Sequence, residues 1–330
     1  MTDTAAPPPF VRPDVRGFLD YLNAMPGPRT HQMTPEAARQ VYVAMKDVAD
    51  LPVGELAVIR DLTIPGPAGD IPARLFDARE NRQPGPAMVF YHGGGFVIGT
   101  VDTHASFCAE IARVLDVPVI SVEYRLAPEH RWPAAPDDCE AAARWVADSP
   151  GELGRSVTGL ILCGDSAGGT LAIVAAMDLR DRPATVPVIV QAPIYPAADT
   201  SKPYPSFDAF AEGFLLTRDT MLWFADAYAA DVANSRGSPL IGSMTGLPPA
   251  VIVTASLDPI RDQGRAYAAA LAQAGVPVTF REAAGNIHGF VTLRKAIPSS
   301  QSDVAGYLAA LKDAIVEAEG KRVMAQAAGV

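Results

Sequence analysis

The sequence has few of the residues that would indicate metal sites, disulfides or nucleic-acid binding. Its 330 residues include three cysteines and five histidines, and the cysteines show neither CxxC nor Cys/His spacing. Such sparse, odd-numbered cysteines argue against a disulfide framework and favour a reducing compartment. The chain has 27 Lys and Arg residues against 37 Asp and Glu, with no basic run. A net charge of −10 repels phosphate backbones. We therefore expect no nucleic-acid partner.

The sequence also lacks the apolar segments that membranes require. No stretch approaches the roughly 18 uninterrupted apolar residues of a membrane span. The first residues lack a basic region followed by an apolar region, the pattern of a secretory signal. We expect a cytoplasmic protein with no membrane partner. Hydrophobic residues are nevertheless plentiful, at 49% of the chain, and can fill a sizeable core.

Short apolar runs alternate with helix-length segments from about residue 55 onward. Runs such as AMVFY (87–91), GLILC (159–163) and PAVIVTAS (249–256) are continuously apolar, which is typical of strands buried on both faces. Segments such as GGTLAIVAAMDLRD (168–181) separate them. This alternation predicts an α/β fold with a mostly parallel sheet flanked by helices.

Two parts of the chain fall outside this alternation. Residues 1–50 form a predicted helical arm, in which Thr34 can cap a helix. Residues 195–246 separate two predicted strands by far more than a usual connection and are predicted to be an insertion. The catalytic domain would then consist of residues 51–194 and 247–330.

The insertion is rich in aromatic residues. It holds eight of the chain's 24 Phe, Tyr and Trp residues. Such a segment near the carboxyl ends of parallel strands suits a lid over an apolar pocket, and we expect the pocket to be lined by Phe96, Phe207, Phe210 and Phe214. The alternative is a helical excursion whose aromatic residues only pack onto the body.

The stretch GDSAG places a serine between a predicted strand and a predicted helix. It comprises Gly164, Asp165, Ser166, Ala167 and Gly168. G-x-S-x-G in this context is typical of a nucleophile on a sharp turn, where small flanking residues leave room for substrate. The helix that follows points backbone N–H groups at developing negative charge. A plain small-residue turn is the alternative interpretation.

A nucleophilic serine needs a base and a carboxylate that orients it. His288, in GNIHGF, follows the last predicted strand on a glycine-flanked loop. Asp258 directly follows the strand PAVIVTAS, so its side chain is expected at the same edge of the sheet as Ser166. Asp262 is the rival carboxylate, although its position at the start of a helix favours capping.

Stabilisation of a substrate oxyanion needs N–H donors, and YHGGGF supplies glycines directly after a strand. Backbone without side chains can approach a carbonyl closely. We predict that amides of the triplet Gly93, Gly94 and Gly95, together with the amide of Ala167 after the nucleophile, form the oxyanion hole.

Five motifs in order carry a resemblance to a known family: HGGGF, YRLAPEHRWPAAPDD, GDSAGG, DPIRD and HGF. They resemble the hormone-sensitive-lipase-like group of α/β-hydrolases, in particular the bacterial GDSAG esterases. The order Ser166, Asp258, His288 also matches the chain order of α/β-hydrolases. The resemblance covers roughly residues 55–295. It implies that Gly94, Gly95 and Ala167 are the oxyanion donors and that His92 and Gly93 shape the loop.

The resemblance implies an α/β-hydrolase fold with an eight-stranded, mostly parallel sheet. It further implies a helical cap built from the arm and the insertion, and hydrolysis of short acyl esters without a cofactor or metal. YRLAPEH matches a family segment beneath the active site, so Glu129 and His130 are expected to be structural, with a second catalytic role for His130 as the alternative. By the same resemblance, the strand VPVTFRE or its neighbour could form an edge that pairs two copies in a homodimer.

The sequence therefore predicts a serine carboxylesterase acting on a small-molecule ester of short to medium acyl chain. An amidase or deacetylase with the same triad is the main alternative, because the fold and nucleophile do not separate esters from amides. A ligand-binding relative without activity is less well supported, since His288 is present. A long-chain lipase is disfavoured because no strongly apolar amphipathic lid stands out.

Overall fold

The computed structural model describes residues 8–327, so the first seven residues of the predicted arm lie outside the described part. The strands are β1 Val58–Gly66, β2 Gly69–Asp77, β3 Gly85–Tyr91, β4 Val119–Val122, β5 Val157–Asp165, β6 Val188–Ile194, β7 Ala250–Leu257 and β8 Val278–Ile287. The α-helices are α1 Pro13–Ala24, α2 Pro35–Ala49, α3 Ala105–Leu115, α4 Ala134–Ala147, α5 Ala167–Asp181, α6 Pro205–Ala209, α7 Arg218–Tyr228, α8 Arg261–Gln273 and α9 Ser300–Ala327.

The eight strands form one sheet in the order β1-β2-β4-β3-β5-β6-β7-β8. The five neighbouring pairs from β4 to β8 are parallel, whereas β2 runs antiparallel to both β1 and β4. The predicted fold class, a mostly parallel eight-stranded sheet flanked by helices, is confirmed. The parallel strands bring the ends of β3, β5, β7 and β8 to one edge, where ligands of open α/β sheets bind.

Helices cover both faces of the sheet, and alternate side chains of each strand enter different cores. In β3, Val89 and Tyr91 pack with α4, α5 and α8, whereas Met88 and Phe90 pack with α3 and α9. The near-continuous apolar runs of the sequence follow from this burial on both faces.

The arm contains α1 and α2. Thr34 caps α2 as predicted, since its hydroxyl accepts a hydrogen bond from the Ala37 amide at 3.3 Å. Val15 and Leu19 of α1 are buried in a third apolar cluster with Phe210, which belongs to the segment between β6 and β7. The arm therefore contacts the predicted insertion directly.

Some elements differ from the sequence-based prediction. The motif analysis identified neither α1 nor α9. Strand β8 runs to Ile287 rather than ending near residue 282, so His288 follows it without an intervening loop. All three cysteines, which lie in the described part, are buried and free. Among residues 8–327, no helix is long and apolar enough to span a bilayer.

Candidate active site

Ser166 occupies a strained turn between β5 and α5. Its backbone dihedrals are φ 55° and ψ −118°, in a region that L-residues rarely adopt. Such strain typically costs about 1–3 kcal/mol and persists only where surrounding contacts hold it. Here the Ser166 amide donates to the carbonyl of Ile194 at the end of β6 at 2.9 Å, and its carbonyl accepts from the Thr170 amide at 3.0 Å.

The two glycines that flank Ser166 are required by close backbone approach. A Cβ atom on Gly164 would lie 2.3 Å from the carbonyl oxygen of Gly168, and one on Gly168 would lie 1.8 Å from that of Tyr91. Neither position has room for a side chain. The turn is therefore packed tightly onto the end of β3, and the glycine triplet follows that strand.

Ser166, His288 and Asp258 form a continuous hydrogen-bonded chain. The His288 Nε2 lies 2.8 Å from the Ser166 Oγ, and the His288 Nδ1 lies 2.7 Å from the Asp258 Oδ2. Asp258 is fully buried and His288 is 8% exposed. This geometry lets the imidazole accept a proton from the serine while the carboxylate fixes the ring.

Asp258 is held by its own turn and not by the helix that follows. Its Oδ1 accepts a hydrogen bond from the Ile260 amide at 2.8 Å, which leaves Oδ2 for His288. The expectation that Asp262 caps α8 is wrong, because that helix has no side-chain cap. The Asp262 carboxylate instead accepts from the Ser206 amide at 3.0 Å and so joins α8 to α6.

The glycine triplet forms a tight turn at the end of β3. The Gly94 carbonyl accepts from the amides of Val97 and Ile98 at 3.1 and 2.9 Å. Gly94 has φ 120° and Gly95 has φ 59°, both in the region that favours glycine. A Cβ on Gly95 would lie 2.3 Å from the Phe224 ring of α7, so the ring packs directly on the loop.

Gly93, which precedes these two residues, is held at both its amide and its carbonyl. Its amide donates to the Asp165 Oδ1 at 2.8 Å, and its carbonyl lies 2.8 Å from the His92 Nδ1. Burial, followed by the charge of nearby His104, lowers the pKa of His92 to about 3. A neutral His92 in its Nδ1–H tautomer donates to Gly93, in the loop-shaping place that the sequence predicted.

The arm also reaches this loop. Arg39 of α2 donates to the carbonyls of Val97 and Ala127, both at 2.8 Å, and forms an ion pair with Glu129 at 2.6 Å. Glu129 and His130 are both exposed. Glu129 links the arm to the body.

The four predicted pocket residues lie in different surroundings. Phe96 stacks on Tyr228 of α7 at 3.8 Å between ring centroids, whereas Phe207 is half-buried on α6. Phe210 and Phe214 meet edge to face at 5.2 Å and pack in the apolar cluster that contains α1.

Two other residues of the insertion lie beside the site. The Phe224 ring packs on Gly95, and the Leu215 Cδ2 lies 3.8 Å from an ideal Cβ on Gly289, which follows His288. Sequence reasoning missed both as pocket residues, although Phe224 was counted among the aromatic residues of the insertion.

Sequence reasoning also missed two buried residues around the triad. The Tyr195 ring lies 4.5 Å from the His288 ring, and its hydroxyl donates to the Asp165 Oδ2 at 3.3 Å. The His104 Nε2 lies 3.1 Å from the Asp165 Oδ1. Their partners are tens of residues away, so no local pattern indicates them.

In the part of the chain from residue 8 to residue 327, no three His, Cys, Asp or Glu side chains are grouped as a metal site.

Comparison with known proteins gives the same fold family. Residues 88–292 match the family described as alpha/beta hydrolase fold. The chain is 41% identical to the carboxylic ester hydrolase LipN of Mycobacterium tuberculosis over 71% of its length, which spans 65% of that relative. It is 34% identical to the esterase LipI of the same organism over 94% of this chain and 98% of the relative.

Solved structures agree with this result. An α/β-hydrolase enzyme from the metagenome of Lake Arreo, Spain, is 37% identical, with a TM-score of 0.88 over 92% of this chain and 98% of the other. A hyperthermophilic esterase from Pyrobaculum calidifontis is 36% identical, with a TM-score of 0.84 over 93% of this chain and 99% of the other. The chain belongs to the α/β-hydrolase-fold family and, by its motifs, to the hormone-sensitive-lipase-like group within it.

Proposed function

We propose that the chain is a serine carboxylesterase that hydrolyses small-molecule esters of short to medium acyl chain. The observation that carries the proposal is the hydrogen-bonded chain from Asp258 through His288 to Ser166, with 2.7 and 2.8 Å between the partners. The names of the relatives, carboxylic ester hydrolase and esterase, point to the same reaction class.

In the first half-reaction, His288 takes the proton of the Ser166 hydroxyl as the serine oxygen attacks the ester carbonyl. The resulting imidazolium is stabilised by Asp258, whose buried carboxylate holds the His288 ring in its orientation. His288 then gives this proton to the leaving alcohol, and the acyl group remains bonded to Ser166.

In the second half-reaction, a water molecule replaces the alcohol. His288 takes a proton from this water as its oxygen attacks the acyl carbon. Collapse of the tetrahedral intermediate breaks the bond to Ser166, and His288 returns the proton to the serine. The products are one carboxylic acid and one alcohol, and the proposed reaction uses no cofactor.

The oxyanion of each tetrahedral intermediate would accept hydrogen bonds from the amides of Gly94, Gly95 and Ala167. Loss of one such donor typically costs about 100- to 1000-fold in rate. The tight turn at Gly94, which fixes the backbone after β3, and the start of α5 at Ala167, directly after Ser166, support this assignment.

We further propose that the arm, residues 1–50, and the insertion, residues 195–246, form a cap over the site. Their mutual contacts support this: the Asn23 Nδ2 donates to the Gly213 carbonyl at 3.3 Å, and the His31 Nε2 lies 3.8 Å from the Asp219 Oδ2. Within the cap, Phe224 and Leu215 are the proposed pocket residues, since they lie nearest to Gly95 and to the loop of His288.

Two further expectations remain proposals. Strand β8 ends the sheet, and Phe280 on it is 39% exposed, which supports a homodimer paired through this edge. A cytoplasmic location is favoured by the three buried free thiols.

The test is a chain-length series of p-nitrophenyl esters with the wild type, Ser166→Ala and the control Ser302→Ala. Ser302 lies exposed on α9, so its variant should match the wild type. We expect a short-chain optimum and a loss of several orders of magnitude in kcat for Ser166→Ala. Turnover of nitroanilides without turnover of esters would instead indicate an amidase, and unchanged rates in Ser166→Ala would refute the mechanism.

A further inference from the structure

A buried charged pair that the proposed mechanism does not use lies beneath the oxyanion loop. It consists of His104, in the turn that precedes α3, and Asp165, the residue before the nucleophile. The His104 Nε2 lies 3.1 Å from the Asp165 Oδ1. His104 is fully buried and Asp165 is 3% exposed, so the pair is screened from solvent.

The Asp165 carboxylate is contacted by three groups, two of them hydrogen-bond donors, each from a different part of the site. Oδ1 faces both the Gly93 amide at 2.8 Å and His104, and Oδ2 accepts from the Tyr195 hydroxyl at 3.3 Å. Because Asp165 ends β5 and Gly93 follows β3, the carboxylate joins the nucleophile turn to the oxyanion loop. A buried carboxylate satisfied in this way is rigid, whereas one lacking a partner is costly.

Each member of the pair favours the charged form of the other. Burial lowers the pKa of His104, but the charge of Asp165 and the hydrogen bond between them outweigh burial and raise it. Burial raises the pKa of Asp165, but the charge of His104, its hydrogen bond and the Gly93 amide outweigh this and lower it. The neighbouring imidazole of His92, 5.7 Å away between ring centroids, stays neutral.

The loop at Gly93 leaves no room for the Asp165 carboxylate to move. An added Cβ on Gly93 would lie 2.4 Å from the Asp165 Oδ2. The Gly93 carbonyl is also held by the His92 Nδ1, while the His92 carbonyl accepts from the Tyr124 hydroxyl at 2.6 Å. Rotation of the Asp165 carboxylate would therefore be transmitted to the Gly93 peptide and to Gly94 beyond it.

We propose that His104 is a positioning residue for ester hydrolysis. Through its 3.1 Å contact with the Asp165 carboxylate it fixes the Gly93 peptide, and thereby aims the oxyanion donors of Gly94 and Gly95 at the transition state. This inference rests on the proposed function. It places His104 in the reaction through transition-state stabilisation only, without contact to substrate or transfer of a proton.

The test compares His104→Ala and His104→Gln with the wild type. Glutamine retains an N–H donor near the imidazole Nε2, whereas alanine removes it. The matched control is Asp77→Asn, which neutralises another fully buried carboxylate, paired with Arg82 at the opposite edge of the sheet. Each variant is assayed for kcat and KM on p-nitrophenyl butyrate, and for Ki of a trifluoromethyl ketone, which forms an oxyanion on Ser166.

For His104→Ala we expect kcat to fall about 10- to 100-fold with little change in KM, less than the loss of a whole donor. The Ki of the ketone should rise by the same factor as kcat/KM falls. His104→Gln should stay within about 5-fold of wild-type kcat, because a neutral N–H group near Asp165 replaces the imidazole N–H. Asp77→Asn should lower stability and leave kcat and Ki unchanged.

A second readout does not depend on turnover. Hydrogen exchange of the peptide spanning residues 92–98 should rise in His104→Ala and not in Asp77→Asn. Unchanged exchange and unchanged Ki, in an enzyme whose Ser166→Ala variant is inactive, would overturn the role of His104 and leave the esterase proposal intact. A wild type without turnover would overturn the esterase proposal, and exchange would then decide the positioning claim alone. Failure of His104→Gln to recover the rate would contradict a role through the polar contact with Asp165.

Discussion

The sheet edge that holds Ser166, His288 and Asp258 differs in its contacts from the junction between the arm and the insertion. At the edge, backbone atoms are packed in contact and buried charges are paired, as at Gly168 against Tyr91 and at Asp165 against His104. The arm and the insertion, which we proposed as the cap and here call the cover, meet each other through polar contacts that are long or exposed, such as the 3.8 Å approach of His31 to Asp219, whose side chain is 57% exposed.

This difference indicates that the two regions have different roles in catalysis and substrate binding. Close packing at the edge fixes the reacting groups to within the tolerance that catalysis needs. The cover places apolar side chains such as Phe224 and Leu215 near those groups, where substitutions can change the pocket without disturbing the edge. We expect substitutions at the edge to act on folding and kcat, and substitutions in the cover to act on substrate preference.

The largest effect should come from a methyl group at the edge. Gly168→Ala puts a Cβ 1.8 Å from the Tyr91 carbonyl oxygen, so the turn must move. We expect a loss of about 3 kcal/mol or more in the free energy of unfolding, at the upper end for overpacking. Urea denaturation followed by circular dichroism measures it.

The matched substitution in the cover is Gly17→Ala in α1. A Cβ there meets nothing within 4 Å, and alanine favours a helix over glycine by about 1 kcal/mol. This variant should equal or exceed the wild type in stability. A well-folded Gly168→Ala variant, or a destabilised Gly17→Ala variant, would contradict the division between edge and cover.

An intermediate effect should appear in acid. The pKa of His92 is lowered to about 3 in the folded state by burial, and then by the charge of His104, from an ordinary value of 6.5. Between these values the unfolded chain binds a proton that the folded chain does not, so stability falls as pH drops from about 6.5 towards 3. Thermal denaturation across this range should show the decline.

Two variants separate edge from cover in this experiment. His92→Asn should flatten the acid decline, although it lowers stability at neutral pH. His31→Asn, in the cover, loses only a 3.8 Å contact with Asp219 and should shift stability at neutral pH by less than about 0.5 kcal/mol. Equal slopes for His92→Asn and the wild type would show that His92 is not the group responsible.

The smallest effect concerns the pocket. Phe224→Ala removes the ring that packs on Gly95 and should admit bulkier esters, raising their kcat/KM about 10-fold relative to short ones. Leu222→Ala, at a 56% exposed position on the same helix, is the control and should keep the wild-type preference. An unchanged chain-length profile for Phe224→Ala would place the pocket elsewhere.

The edge of the sheet was largely predictable from sequence because its requirements are local. Gly164 and Gly168 flank Ser166 within five residues, and the glycine triplet follows its strand directly. The positions of Asp258 and His288 follow from the rule that ends of parallel strands meet at one edge. The structure brings all of these residues together as expected.

The remainder depends on contacts between distant segments, which a single sequence does not display. His104 reaches Asp165, 61 residues on, only because α3 and β5 flank the same loop. The position of Asp262 suggested a cap for α8, but its carboxylate instead accepts a hydrogen bond from the Ser206 amide at the start of α6. Phe210 packs in the apolar cluster of α1, a helix that the sequence patterns did not indicate.

The most direct test of the central claim is covalent labelling of the nucleophile. The wild type and His288→Ala would be treated with a p-nitrophenyl alkylphosphonate and digested for mass spectrometry. We predict one phosphonate per chain, on the peptide containing Ser166, formed orders of magnitude more slowly in His288→Ala. Labelling at another residue, or equal labelling rates in both proteins, would contradict the assignment of Ser166 and His288 as nucleophile and base.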